Sequence, residues 1–152
     1  MTTNSEQPHL RIAFGSCYGL SFMDHRYSSD IFTQISNESP DVFLWLGDAA
    51  YIDKSPVFRS GSVEKEEIQK RYQNTKDSKG YAQMLKKTKV FGVWDDHDFG
   101  QNDSGKELEG KHLNRELYLD FVDEPLDSER RLQRDSPIHI DYFIDHPNGF
   151  SV

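Results

Sequence analysis

The chain has 152 residues, 35% hydrophobic and 29% charged, with a formal net charge of −8. That length supports one domain with a core of its own, and the acidic balance argues against a nucleic-acid or anionic-membrane binder, since both need clustered Lys and Arg. Cys17 is the only cysteine, so no intrachain disulfide can form.

Residues 1–8 are polar and predict a disordered N-terminus. They carry no basic n-region or apolar h-region of a signal peptide. No apolar run reaches membrane-span length, so a soluble intracellular protein is the default expectation. Leu10–Phe14 reads as a first strand, ending in Gly15-Ser16-Cys17. Tyr18–Tyr27 reads as a loop over the site. Ser28-Ser29-Asp30 offers N-caps for a short helix carrying Ile31, Phe32 and Ile35, stopped by Asn37 and Pro40. Val42-Phe43-Leu44-Trp45-Leu46 is a second strand, ending in Gly47-Asp48. This order predicts a β-α-β unit with parallel pairing and a right-handed crossover.

Residues 52–62, with Pro56 and Gly61, read as an excursion from the sheet. Val63–Thr75 is a mostly charged, solvated helix whose thin apolar stripe is Ile68 and Tyr72. Tyr81–Lys87 predicts another short helix, and Val90–Trp94 a third strand. Gly105–Val122 carries the strongest helical pattern: Leu113, Leu117 and Phe121 recur four apart, widened by Leu108, Tyr118 and Val122. Asp123–Asp135, with Pro125, reads as a surface turn or poorly ordered arm. Ile138–Ile144 alternates as a strand, with His139 and Asp141 on one parity. The expected organisation is one domain over residues 9–146 and a tail over 147–152.

The third strand runs into Asp95-Asp96-His97-Asp98 and, a few residues on, Asn102-Asp103. Crowded carboxylates repel one another unless a cation sits among them; a solvated acidic loop is the alternative reading. Three strands thus end at donor groups, and in open α/β sheets sites collect at the carboxyl ends of the strands.

Gly15-Ser16-Cys17, Gly47-Asp48 followed by Tyr51, and Trp94-Asp95-Asp96-His97-Asp98 followed by Gly100, Asn102 and Asp103 resemble successive motifs of the PhoD-like alkaline phosphatases. These form a branch of the calcineurin-like metallophosphoesterase superfamily, and the resemblance covers roughly residues 10–145. It implies an α/β fold: the N-terminal half of a four-layer α/β/β/α sandwich with a mostly parallel sheet. It implies a metal-dependent phosphoric ester hydrolase acting on a phosphate ester. By resemblance, Cys17, Asp48 and Tyr51 bind Fe3+, and Asp48 bridges to a second metal, Ca2+ or another hard divalent ion. Asp96 falls where the wider superfamily has an Asn ligand, and Asn102 joins it. His97 is the donor to the phosphate or leaving oxygen, with Asp98 orienting it. His9, His25, His112, His139 and His146 belong to none of these motifs and read as surface or rim residues.

The family continues with His- and Asp-containing blocks that complete both metal sites, and this sequence ends before them. The resemblance therefore implies a truncated domain, weak or inactive alone. The alternative is a non-catalytic half-domain acting as a binding or interaction protein. The three strands are apolar on both faces while the helices can cover one, which leaves a face for a partner. A cysteine-nucleophile phosphatase at Cys17 is disfavoured, because no Gly-rich loop with a trailing Arg surrounds it.

Overall fold

Three short strands set the frame: β1 (Ile12–Gly15), β2 (Val42–Leu46) and β3 (Lys89–Val93). They pair in the order β1-β2-β3, both pairs parallel, with Ile12 opposite Val42 and Val42 opposite Lys89. Parallel neighbours require crossovers. The first contains α1 (His25–Glu38), the second α2 (Lys65–Asp77) and α3 (Lys79–Met84), with a single 3₁₀ turn at Ile52–Lys54 before them. After β3 come α4 (Asp96–Phe99), α5 (Lys111–Phe121) and α6 (Glu129–Leu132). The parallel α/β sheet expected from the apolar runs is the one observed.

The computed structural model describes residues 9–19, 25–54, 64–133 and 138, and for 25–30 the backbone alone. The N-terminus (1–8), residues 20–24 of the expected loop over the site, residues 55–62 of the expected excursion, Val63, the expected strand beyond Ile138, the tail at 147–152, and the side chains of His25, His139 and His146 lie outside the described residues.

Register explains the core. Phe43 and Trp45 of β2 pair with Ala13 and Gly15 on one side and Val90 and Gly92 on the other, and together they present one face to the helices. Phe32 of α1 meets Phe43 edge-on at 5.5 Å between centroids and Tyr81 of α3 at 4.8 Å. The Trp45 indole N–H donates to the Tyr81 hydroxyl at 2.9 Å, which gives a buried Trp and a buried Tyr their polar partner together. Tyr72 of α2 stacks on Phe121 of α5 at 4.8 Å. A side chain at Gly92 would collide with Tyr118 and Trp45, at 2.5 and 2.6 Å, so only a glycine lets both aromatics close over β3.

The opposite face is different. Val42 is buried there, but Ile12, Phe14 and Leu46 are 41%, 68% and 47% exposed. Among the described residues the helices cover one side of the sheet, as the two-sided apolar pattern of the strands implied.

Most boundaries shift from expectation by one to three residues, as at α3 (Lys79–Met84 for the expected Tyr81–Lys87), and three regions depart in ways the structure explains. α1 begins at His25, so Ser28-Ser29-Asp30 lie inside it rather than at its cap; adjacent capping residues permit a start without fixing it. α5 begins at Lys111, not Gly105, because Gly110 takes a left-handed conformation (φ 83°) at its N-cap and residues before it turn. Its Leu113 is 38% exposed, and the buried face is Leu117, Tyr118, Leu119 and Phe121. The third concerns Asp123–Asp135. Up to Gln133 it is no loose arm: Glu124, Arg130 and Arg131 are buried and mutually bonded, and α6 lies within it. Charge count alone reads such a stretch as solvated; paired charges can be buried.

Candidate metal centre

Each strand delivers one donor group at its carboxyl end. After β2, Gly47 turns the chain at φ 102°, and a Cβ there would stand 2.4 Å from the Asp95 Cβ. Only glycine permits this approach, which brings the ends of β2 and β3 together. Asp48 and Tyr51 follow, and Cys17 comes after β1; all three sit in left-handed backbone, at φ 55°, 45° and 58°. Such conformations cost an L-residue about 1–2 kcal/mol each. They persist where the surroundings over-determine them, often at functional sites.

The side chains converge. Among the described residues, ligand atoms of Asp48, Asp96 and His97 lie within 4.8 Å of one another. The Cys17 thiol donates to Asp48 Oδ2 at 3.7 Å, although the thiol-bearing residue is otherwise exposed. The Tyr51 hydroxyl bonds with the side chains of Cys17 and Asp48, and burial together with these neighbours pushes the phenol well up from its ordinary value. Burial also raises the Asp48 carboxyl, with Asp95 and Asp96 adding to the effect and His97 opposing it. Asp48 Oδ1 is buried with no hydrogen-bond partner. A buried, unsatisfied carboxylate oxygen beside further anionic groups is costly in itself and is relieved by a cation. The donor set therefore fits a metal: carboxylates and an imidazole, with a thiol and a phenol bonded to the central Asp48.

The remaining residues are placed differently from expectation. Asp98 was expected to orient His97. Its carboxylate instead accepts from the Ala49 N–H, at 3.2 and 3.1 Å, and from the Tyr72 hydroxyl at 3.3 Å. The reason is helical geometry: in α4, adjacent residues point to different sides, and Asp98 points into the core, where it is fully buried. The partner of the His97 ring is Asp53, with both carboxylate oxygens 2.9 Å from Nδ1. Asn102 donates its backbone N–H to Asp53 Oδ2 at 3.2 Å and its carboxamide to Asp103. The Asp103 N–H donates to Asp96 Oδ2 at 2.7 Å, which fixes that carboxylate from behind. Asp53 escaped sequence reasoning because it lies 44 residues from His97 and carries no spacing signal. Its one local mark is an acid in the apolar and aromatic run that follows Asp48. His9 and His112 are exposed.

The fold and this site define a parallel α/β domain with an acid–imidazole centre at the ends of its strands. No family model and no curated protein matches the chain. Among solved structures it is similar to a structure of PhoD, at 16% identity and a TM-score of 0.51, over 86% of this chain and 26% of that one. The chain thus has a PhoD-like α/β fold and spans about a quarter of the length of that protein. No described helix is long and apolar enough to cross a membrane.

Proposed function

We propose that these residues form part of a metal-dependent phosphoric ester hydrolase centre of PhoD type. The observation that carries this reading is Asp48: a buried carboxylate with an unpartnered oxygen, in reach of Asp96 and His97 and bonded to Cys17. Cys17, Asp48 and Tyr51 would hold one cation, Fe3+ by the motif resemblance. Asp48 with Asp96 and Asn102 would hold a second, Ca2+ or another hard divalent ion that takes oxygen ligands. When bound, such metals supply charge stabilisation to phosphoryl oxygens and lower the pKa of water.

The chain's own residues supply positioning and a proton. Asp53 holds Nδ1 of His97, so Nε2 is the nitrogen left to face a substrate. In ester hydrolysis a water oxygen bonds to phosphorus, the P–O bond to the alcohol breaks, and the water's proton leaves on the phosphate product or to solvent. The His97 imidazolium gives its Nε2 proton to the departing oxygen. The ring stacks on Tyr51 at 4.2 Å between centroids, which restricts its plane.

The test is turnover of aryl phosphate mono- and diesters with iron and calcium supplied. His97→Asn should lower turnover about 10²–10⁴-fold, the range for a lost general acid, with bound metal retained. The iron-loaded chain should also show a visible charge-transfer band that weakens in Cys17→Ser and Tyr51→Phe. A band unchanged in both variants would remove these residues from the iron site.

A second reading, a non-catalytic interaction protein, is favoured by one observation: the exposed apolar side chains of Ile12, Phe14 and Leu46 on one sheet face. Metal uptake without turnover on any ester would select it.

A further inference from the structure

We infer that α2 positions the metal centre: its adjacent residues Arg71 and Tyr72 hold the turn Asp48–Tyr51 at two points, Arg71 directly and Tyr72 through Asp98. What this does for metal binding rests on the metal-centre reading above. The turn begins and ends on left-handed residues, Asp48 at φ 55° and Tyr51 at φ 45°. Such backbone stays in place only when its surroundings hold it. The Tyr51 carbonyl accepts from Arg71 Nη1 at 3.2 Å, beside the Lys54 N–H, also at 3.2 Å. Ala49 is fully buried, and its N–H donates to the two Asp98 oxygens at 3.2 and 3.1 Å. Asp98 accepts in turn from the Tyr72 hydroxyl at 3.3 Å.

Both α2 side chains are themselves fixed. Arg71 lies on a helix whose charges read as solvated, yet its side chain is 10% exposed, and its Nε lies 3.3 Å from Glu67 Oε1 one turn back. The Tyr72 ring stacks on Phe121 of α5 with 24° between the planes, which leaves its hydroxyl on Asp98. Neighbours on a helix point about 100° apart, so Arg71 and Tyr72 can reach different ends of one short turn. Their hold is on backbone, and the side chains of Asp48 and Tyr51 that this backbone carries bond with one another. Arg71 and Tyr72 are therefore positioning residues.

The experiment titrates the full chain with Co2+ alone, whose thiolate charge-transfer absorption reports Cys17 and whose affinity needs no turnover. Arg71→Met keeps the aliphatic stem and removes the donor; Tyr72→Phe keeps the stacked ring and removes the hydroxyl. Each should weaken Co2+ binding, and the two together should weaken it about 10–100-fold, the usual effect of losing groups that hold metal ligands. Ile68→Val is the control: Ile68 is also on α2, is 1% exposed and takes no part in these bonds. Its urea midpoint should fall while its Co2+ affinity stays. Wild-type Co2+ affinity in the double variant overturns the proposal, and so does an equal loss in Ile68→Val, which would mean general loosening of the helix. Should the double variant fail to fold, the two single variants carry the same comparison. The Ala49 amide gives a readout without metal. Its hydrogen exchange should quicken about 10-fold in the double variant relative to Ile68→Val, the local-opening equivalent of one lost hydrogen bond, and equal rates refute the clamp. Should wild type bind no Co2+, the metal-centre reading falls, while the Ala49 amide still decides the role of α2.

Discussion

Asp98 is fully buried, and burial pushes its carboxyl up to about 7, against the hydrogen bonds from Ala49 and Tyr72 that favour the ionised form. The sign of the linkage follows. An acid whose pKa is raised on folding adds stability below its ordinary value of 3.8, and that stability is lost as pH rises through about 7. In the chelator-treated chain, raising the pH from about 5 to about 8 should lower the denaturation midpoint more in wild type than in Asp98→Asn, whose side chain does not titrate. Parallel curves for the two proteins would show that Asp98 is ionised throughout. Gly47 makes a sharper test of the centre's construction. In Gly47→Ala the new Cβ meets the Asp95 Cβ at 2.4 Å and the backbone must stay at φ 102°. Combining a left-handed residue with a core clash gives a loss of about 2–4 kcal/mol, read by urea denaturation, together with weakened metal uptake.

At the scale of elements, α6 is tied to the sheet by charge rather than by apolar area. Arg130 pairs with Glu124 at 2.7 Å, with the two side chains 6% and 3% exposed, and also donates to the Gly92 carbonyl of β3. Arg131 reaches Glu116 at 3.2 Å and Asp120 at 2.8 Å on the last turns of α5, and the Glu124 carbonyl as well. Ser128 caps the helix by accepting from the Arg131 N–H. Glu124→Gln removes the buried carboxylate but leaves the guanidinium in place, which should cost about 3–5 kcal/mol. The double replacement Glu124→Leu with Arg130→Met should recover a large part of that loss, because no charge is then left buried. Equal losses in the single and double variants would mean that the bond to Gly92, not the ion pair, fixes α6.

At the scale of the whole molecule, the helices among the described residues cover one side of the sheet, and on the other Ile12, Phe14 and Leu46 are exposed. Aromatic residues from α1, α2, α3 and α5 close over Phe43 and Trp45. Apolar side chains grouped on one flat surface bind hydrophobic probes. The chain should enhance the fluorescence of an apolar dye in its native state, and Phe14→Thr with Ile12→Thr should reduce that signal without lowering the unfolding midpoint. Unaltered dye binding would place the apolar surface elsewhere.

The sequence by itself indicated the three apolar strands and their parallel pairing, because continuous apolar runs are local signals, and it grouped Cys17, Asp48, Tyr51, Asp96 and His97 only through its motif resemblance. It also marked Ile68 and Tyr72, two of the three buried positions of α2, by their spacing. Tertiary structure alone decided which acid serves which partner. Asp98 follows His97 directly yet turns to Ala49 and Tyr72, while Asp53, 44 residues away, takes the imidazole. Likewise Glu124 and Arg130, which read as solvated charges, are buried against the end of the sheet. The reason is that a side chain's neighbours depend on strand register, on the direction each turn of helix points it and on left-handed turns such as those at Cys17, Asp48 and Tyr51. Hydrophobic period records none of these; they are fixed only when the segments pack and each buried polar group must find a partner.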